Sequence, residues 1–231
     1  MRHKMDAQTL CDSWRSLLPS NINVVAGPLR ADAPPLTTLE SLSAGNVSPD
    51  RLRELRTGRD YAKRALSEFG FDNVQLPIGA DRSPVWPRGA IGSITHTGDS
   101  TKNHCVVAVG LSAEIRAIGI DIEPDVPLHP DVWTTILTAD ELTQLSTVAI
   151  ADRAREILSR WCVKEAIAKA SRSILDPIKI ETVKLDSSGT NYVGVTSSYR
   201  WLARTVRVDG FVLAAVVVPQ HQVHSTCHTE I

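Results

Sequence analysis

Between Ala117 and Pro124 the chain reads AIGIDIEP, with an isoleucine at every second place from Ile118. Such alternation marks a strand with one face in a core. Ile118, Ile120 and Ile122 point one way, and Gly119, Asp121 and Glu123 point the other. The two carboxylates then lie roughly 7 Å apart along one side, and the glycine beside them leaves a gap where a ligand could approach. Two readings stay open: an edge strand with a solvated acidic face, or a pair of acids gathered around a hard cation such as Mg²⁺.

Upstream, Asp6 to Leu18 reads as a helix with Leu10, Trp14 and Leu17 on one side, followed by a short strand from Asn23 to Ala26. Gly27 to Ser43 holds three prolines and reads as loop with at most one helical turn. Ser48, Pro49 and Asp50 form a helix start, and the helix runs to Gly70. Its apolar stripe is Leu52, Leu55, Ala62, Leu66 and Phe69, interrupted by Arg59, with Arg51 two turns earlier near the same meridian. Either Arg59 snorkels to solvent along its own stem, or the two arginines cradle an anion. A loop from Leu76 to Pro87 carries Arg82. GSITHT (Gly92–Thr97) is a strand with Ile94 and His96 on one face and Ser93 and Thr95 on the other; Gly98 and Asp99 break it. His96 fits either a satisfied core histidine or a ligand-facing one. His104 to Leu111 is the next strand, and AIGIDIEP is expected to pair with it antiparallel.

Beyond Pro124, Asp131 to Leu137 is a short helix, and Thr138 caps another that carries Asp140, Glu141 and Leu142. A second long helix spans Ala151 to Ser171, its stripe read as Ala154, Ile157, Leu158, Trp161, Cys162 and Ala168. Glu165 falls on the same side, where a glutamate needs a partner. An i,i+4 pair with Lys169 is the bland explanation and a bound cation the other. Strands follow at Ile178–Leu185, Tyr192–Val195, Tyr199–Val208 and Phe211–Val218, the last two joined through Asp209-Gly210. The order helix, strands, helix, strands predicts an α+β fold of two similar halves, each a long helix on a small antiparallel sheet. His221, His224, Cys227 and His228 have metal-tract spacing but lie past the last strand, and the segment is read as a disordered tail.

Bulk properties narrow the function. A net charge of -1 over 231 residues excludes a strongly basic nucleic-acid binder. No run reaches the length of a membrane span, and the start lacks an apolar signal region. Four scattered cysteines (Cys11, Cys105, Cys162, Cys227) point to free thiols in a reducing, cytoplasmic setting.

Three motifs stand in order: WPRGAIGSITH (Trp86–His96), GIDIE (Gly119–Glu123) and WCVKEAIAK (Trp161–Lys169). Together they resemble the 4'-phosphopantetheinyl transferases of the single-chain Sfp/EntD type. Glu54, Gly58, Arg59 and Ala62, followed by RSPVWP (Arg82–Pro87), lie nearer its enterobactin-synthetase branch. The resemblance implies a pseudo-dimer with the nucleotide bound in the cleft between two halves, here 1–123 and 124–220, with 221–231 as tail. It implies that Asp121, Glu123 and Glu165 hold Mg²⁺ on the pyrophosphate of coenzyme A, and that Glu165 and Lys169 take part in catalysis. His96, Arg59, Arg51 and Arg82 are implied to hold the 3'-phosphate and neighbouring parts of the nucleotide, and Lys164 is counted with them as a member of its motif. The implied reaction moves 4'-phosphopantetheine to a serine of an apo acyl- or peptidyl-carrier protein and releases 3',5'-ADP, in a siderophore or other secondary-metabolite pathway. One chain completes the cleft, so a monomer is expected. A Mg²⁺-dependent hydrolase of a nucleotide pyrophosphate and a non-catalytic coenzyme A-binding module are the alternatives.

Overall fold

The computed structural model describes residues 7–97, 103–172, 176–186, 188–196 and 199–220. Met1 to Lys4, the expected break at Gly98 and Asp99, and the His/Cys tail lie outside the described residues. In chain order the elements are α1 (Ala7–Leu17), β1 (Asn23–Pro28), α2 (Thr38–Ala44), α3 (Pro49–Ser67), β2 (Ala90–His96), β3 (His104–Leu111) and β4 (Ile115–Pro124). They continue with α4 (Trp133–Ile136), α5 (Ala139–Leu145), α6 (Ile150–Ser171), β5 (Glu181–Lys184), β6 (Asn191–Val195), β7 (Arg200–Val208) and β8 (Phe211–Pro219). The strands form two antiparallel sheets, ordered β1-β3-β2 and β4-β8-β7-β6-β5. The fold is α+β, as the order of elements implied.

Each sheet carries one long helix on its outer face. Tyr61, Ala62 and Leu66 of α3 pack on Cys105, Val107 and Val109 of β3. Cys162, Ala166 and Ile167 of α6 pack on Val212, Ala214 and Val216 of β8. Between the sheets lies a shared core in which Ile118, Ile120 and Ile122 of β4 meet Val106 and Ala108 of β3, closed at one side by Leu10 and Trp14 of α1. Alternation along β3, β4 and β8 thus serves two cores at once. Asp209 and Gly210, with φ of 47° and 80°, make the two-residue turn between β7 and β8 that their sequence signals.

Four expectations are corrected. Strand β4 does not pair with β3; it is hydrogen-bonded to β8, with Ile120 opposite Ala215. The short β3–β4 connection therefore crosses between sheets, and edges β2 and β4 meet side by side through side chains: Ser93 Oγ accepts the Ile120 N–H at 3.2 Å. The 27–43 segment contains α2, begun by a capping box in which Thr37 and Glu40 satisfy each other's backbone N–H groups. The gap at Gly119 admits the helix rather than a ligand, since a Cβ there would stand 1.8 Å from the Ala166 carbonyl oxygen. Finally, the buried stripe of α6 runs through Ile157, Leu158, Cys162, Val163, Ala166, Ile167 and Ala170, while Ala154, Trp161 and Ala168 are only part-buried.

The two halves share a polar staple. In the first, Glu40 of α2 accepts from the Leu76 N–H at 3.0 Å and from Lys63 Nζ, and Arg59 Nε donates to the Leu76 carbonyl. In the second, Glu141 of α5 accepts from the Thr182 N–H at 2.8 Å and from Lys164 Nζ, and Arg160 Nη1 donates to the Thr182 carbonyl. Thr37 and Thr138, Glu40 and Glu141, Arg59 and Arg160, and Lys63 and Lys164 each stand 101 residues apart in the sequence. Each staple ties a capping-box glutamate to the long helix and to a remote backbone amide. Both glutamates are buried, so their charge must be met by such donors.

Candidate active site

A cleft of about 520 Å³ opens where the edges of the two sheets meet, walled by α3, β2, β4, α6 and the loop ahead of β2. That volume is of the size that takes a small-molecule ligand.

On the α3 wall, Ser48 caps the helix by accepting the Arg51 N–H, and Pro49 starts it. Arg51 and Glu54 then face the cleft one turn apart. Arg51 Nη1 donates to Glu54 Oε2 at 2.9 Å and to His96 Nε2 at 3.1 Å. Burial pushes His96 below its ordinary value; Glu54 opposes this and the Arg51 charge adds to it. A neutral imidazole with its hydrogen on Nδ1 is the form that accepts from Arg51. Arg59 is 6% exposed and also lines the cleft. Burial, against the nearby Glu40 and with the Arg51 charge, pushes it down to about 10.

The β4 wall carries the acids. Asp121, 4% exposed, accepts through Oδ1 from Thr95 Oγ1 at 3.0 Å and Lys169 Nζ at 2.6 Å. Its other oxygen, Oδ2, is buried and has no hydrogen-bond partner. Glu123 accepts from the Trp161 indole N–H at 3.2 Å. Burial, then the Asp121 charge, push Glu123 up to about 7 against that bond and Lys169, with Glu165 adding to the rise. From α6, Glu165 is part-buried on the same cleft, raised by burial and by Asp121 against the pull of Lys169. Burial works against the Lys169 charge, but its bond to Asp121 and the neighbouring carboxylates prevail and raise it.

The cleft thus gathers Arg51, Arg59, Arg82, His96, Asp121 and Glu123 with Glu165 and Lys169. The three acids share one wall region. Among the described residues, however, no three Asp, Glu, His or Cys side chains stand in a metal-holding group, and an ammonium rather than a third carboxylate sits on Asp121. Lys164 is not brought to the cleft. Its side chain is fully buried, with Nζ 2.6 Å from Glu141 and 2.8 Å from the Ile136 carbonyl, so the expectation that it touches the cofactor is corrected: it is the cation of the second staple. Sequence reasoning missed Thr95, Trp161 and Arg172. Thr95 and Trp161 hold the acids, and Arg172 lines the cleft one turn past Lys169. The period-2 reading of GSITH already set Thr95 apart from His96, but nothing in it revealed that β4 would lie alongside.

Two family models match in sequence order: the 4'-phosphopantetheinyl transferase N-terminal domain over residues 40–110, and the 4'-phosphopantetheinyl transferase superfamily over residues 117–216. Among curated proteins, 4'-phosphopantetheinyl transferase Npt of Nocardia iowensis is 34% identical over 57% of this chain and 56% of its own length. The transferase PptT of Mycobacterium tuberculosis is 32% identical over 67% of this chain and 68% of its own length. Enterobactin synthase component D of Escherichia coli K12 is 34% identical over 52% and 55%. The match therefore spans between about half and two thirds of these relatives. With one relative above 30% identity matched over two thirds of its length, and the two family models separated only by residues 111–116, the chain belongs to the 4'-phosphopantetheinyl transferase superfamily.

Proposed function

We propose that the protein transfers 4'-phosphopantetheine from coenzyme A to a serine of an apo acyl- or peptidyl-carrier protein, releasing 3',5'-ADP. The observation that carries this reading is the convergence of Asp121, Glu123 and Glu165 on one cleft whose other walls present arginines. Coenzyme A brings a phosphate ester and a diphosphate, roughly four negative charges at neutral pH. Five arginine or lysine side chains and five carboxylates line the cleft, so its fixed charges cancel. Such a site needs further positive charge to hold that ligand.

The bare Oδ2 of Asp121 and the raised Glu123 are what an acid cluster short of a cation presents, and three oxygen donors suit Mg²⁺. Asp121, Glu123 and Glu165 would hold it, and when bound it neutralises charge on the diphosphate oxygens. Thr95 and Trp161 orient the acids. Arg51, Arg59, Arg82 and His96 bind and orient the nucleotide, and Lys169 faces the phosphates. The serine Oγ attacks the phosphorus that bears pantetheine. The Ser–O–P bond forms, the P–O bond to the 5'-phosphate of 3',5'-ADP breaks, and the serine proton leaves by a water on Glu165. The first sheet and α3 supply Arg59 and His96, and β4 with α6 supplies Asp121, Glu123, Glu165 and Lys169, so one chain suffices.

Three unpaired cysteines and the lack of any helix long and apolar enough to cross a membrane, both among the described residues, support a cytoplasmic place of work. The similarity to enterobactin synthase component D supports carriers of siderophore or related assembly lines. Incubation with coenzyme A, Mg²⁺ and a panel of apo carriers should add the mass of phosphopantetheine to at least one of them. Glu165→Gln should lower that rate at least about a hundredfold. Coenzyme A cleaved with no carrier mass gained would overturn the reading in favour of a hydrolase.

A further inference from the structure

We propose that Arg172 is a phosphate-binding residue of the cleft, acting with Arg82 from the loop ahead of β2; this rests on the reading of the site as one for coenzyme A. Among the described residues, four non-glycine positions have positive φ: Asn73, Arg82, Arg172 and Asp209. Asparagine and aspartate tolerate that backbone region; arginine has no such aptitude. Both arginines held there line the same cleft.

Arg172 ends α6 with φ 48° and ψ 21°, at a cap position where glycine is the usual residue. It lies one turn beyond Lys169 and four residues beyond Ala168, on the helix face that lines the cleft. Arg82 sits at φ 64° in the tight turn Gly79–Ser83. Its N–H donates to the Gly79 carbonyl at 2.9 Å, and the Gly79 N–H donates to the Ser83 carbonyl at 2.8 Å. The Asp81 carboxylate accepts the Ser83 N–H at 3.0 Å and its hydroxyl at 2.8 Å, so the turn is braced from within. The Arg172 charge reaches Asp81, where it reinforces those serine bonds in holding the carboxyl below its usual range.

Both side chains are exposed, and neither guanidinium has a hydrogen bond or ion pair among the described residues. Strain held at a cleft wall by a guanidinium with no hydrogen bond or ion pair among the described residues is what a ligand contact would explain. A guanidinium has five donors and no acceptor, and two of them lining one cleft match a group with several anionic oxygens. In coenzyme A that group is the 3'-phosphate or the diphosphate.

Calorimetric titration of the full chain with coenzyme A and with dephospho-coenzyme A tests this. Arg172→Gly suits the left-handed backbone, so it should melt at the same temperature as the wild type or higher. It should nonetheless bind coenzyme A about tenfold more weakly, as should Arg82→Gly, with Arg172→Lys recovering part of the loss. Weakening that is absent with dephospho-coenzyme A assigns the pair to the 3'-phosphate; weakening with both ligands assigns it to the diphosphate. Wild-type affinity in Arg172→Gly for both ligands overturns the inference alone. A wild-type chain that binds neither ligand sinks the reading of the site as well.

Discussion

Removing the Lys164 ammonium would strip buried Glu141 of its nearer cation, leaving the Arg160 guanidinium at 3.7 Å. Burial pushes both groups toward neutrality. Lys164 yields to it despite Glu141, but Glu141 is held below the ordinary carboxyl range because Lys164, Thr182 and Thr138 donate to it. The Lys164 and Thr182 donors are buried with Glu141 and the Thr138 N–H is part-buried, all within bonding distance of its carboxylate. Breaking such a pair costs about 3–5 kcal/mol. Lys164→Met should therefore lower urea stability by that amount, while the molecules that remain folded keep their affinity for coenzyme A. Trp161 tests the opposite case. Trp161→Phe keeps the ring and loses the donor to Glu123, so the Mg²⁺ concentration for half-maximal transfer should rise about tenfold or more. Asp121, Glu123, Arg59 and His96 were legible as cleft residues because each breaks the pattern of its element: acids on a strand, cations or a histidine on an apolar face. Lys164 was misjudged because a motif says which residues recur, not which way they point.

At the scale of elements, caps and turns were the most readable features, since Ser48-Pro49, Thr138 and Asp209-Gly210 act through local chemistry alone. The pairing of β4 was not readable. Its alternation fits any partner with a complementary face, and the choice of β8 over the adjacent β3 depends on a strand almost a hundred residues away. The face of α6 was misjudged for a related reason. Trp161 and Ala168 are apolar enough to belong to a core, yet the helix is rotated so that Gly119 meets Ala166 and they border the cleft. Gly119→Ala should therefore push α6 off β4. The expected destabilisation is about 3 kcal/mol or more, and Mg²⁺-dependent transfer should fall further than the folded fraction does. The twin staples were in principle visible as T-x-x-E followed by R-x-x-x-K in each half, but so sparse a repeat carries no weight until the fold shows both glutamates reaching for the same kind of partner.

Across the molecule, the staples set a common acid limit. Burial would raise Glu40 and Glu141, but their donors outweigh it and hold both folded carboxyls below 4.5. A depressed folded value means stability that is fully present above the ordinary value and lost as pH falls through the lower folded one. The melting temperature should drop below about pH 4.5, and Glu40→Gln should soften that drop. The seam between the sheets behaves differently. Edges β2 and β4 share no backbone ladder and are joined in part by the hydroxyls of Ser93 and Thr95. One hydroxyl bond contributes only about 1 kcal/mol, so the seam can open while each sheet stays folded. In deuterium exchange, the Ile120 amide should therefore label through a local fluctuation of its own, earlier than the neighbouring amides bonded to β8. Ser93→Ala should hasten that single site while the slowest-exchanging amides keep their rates.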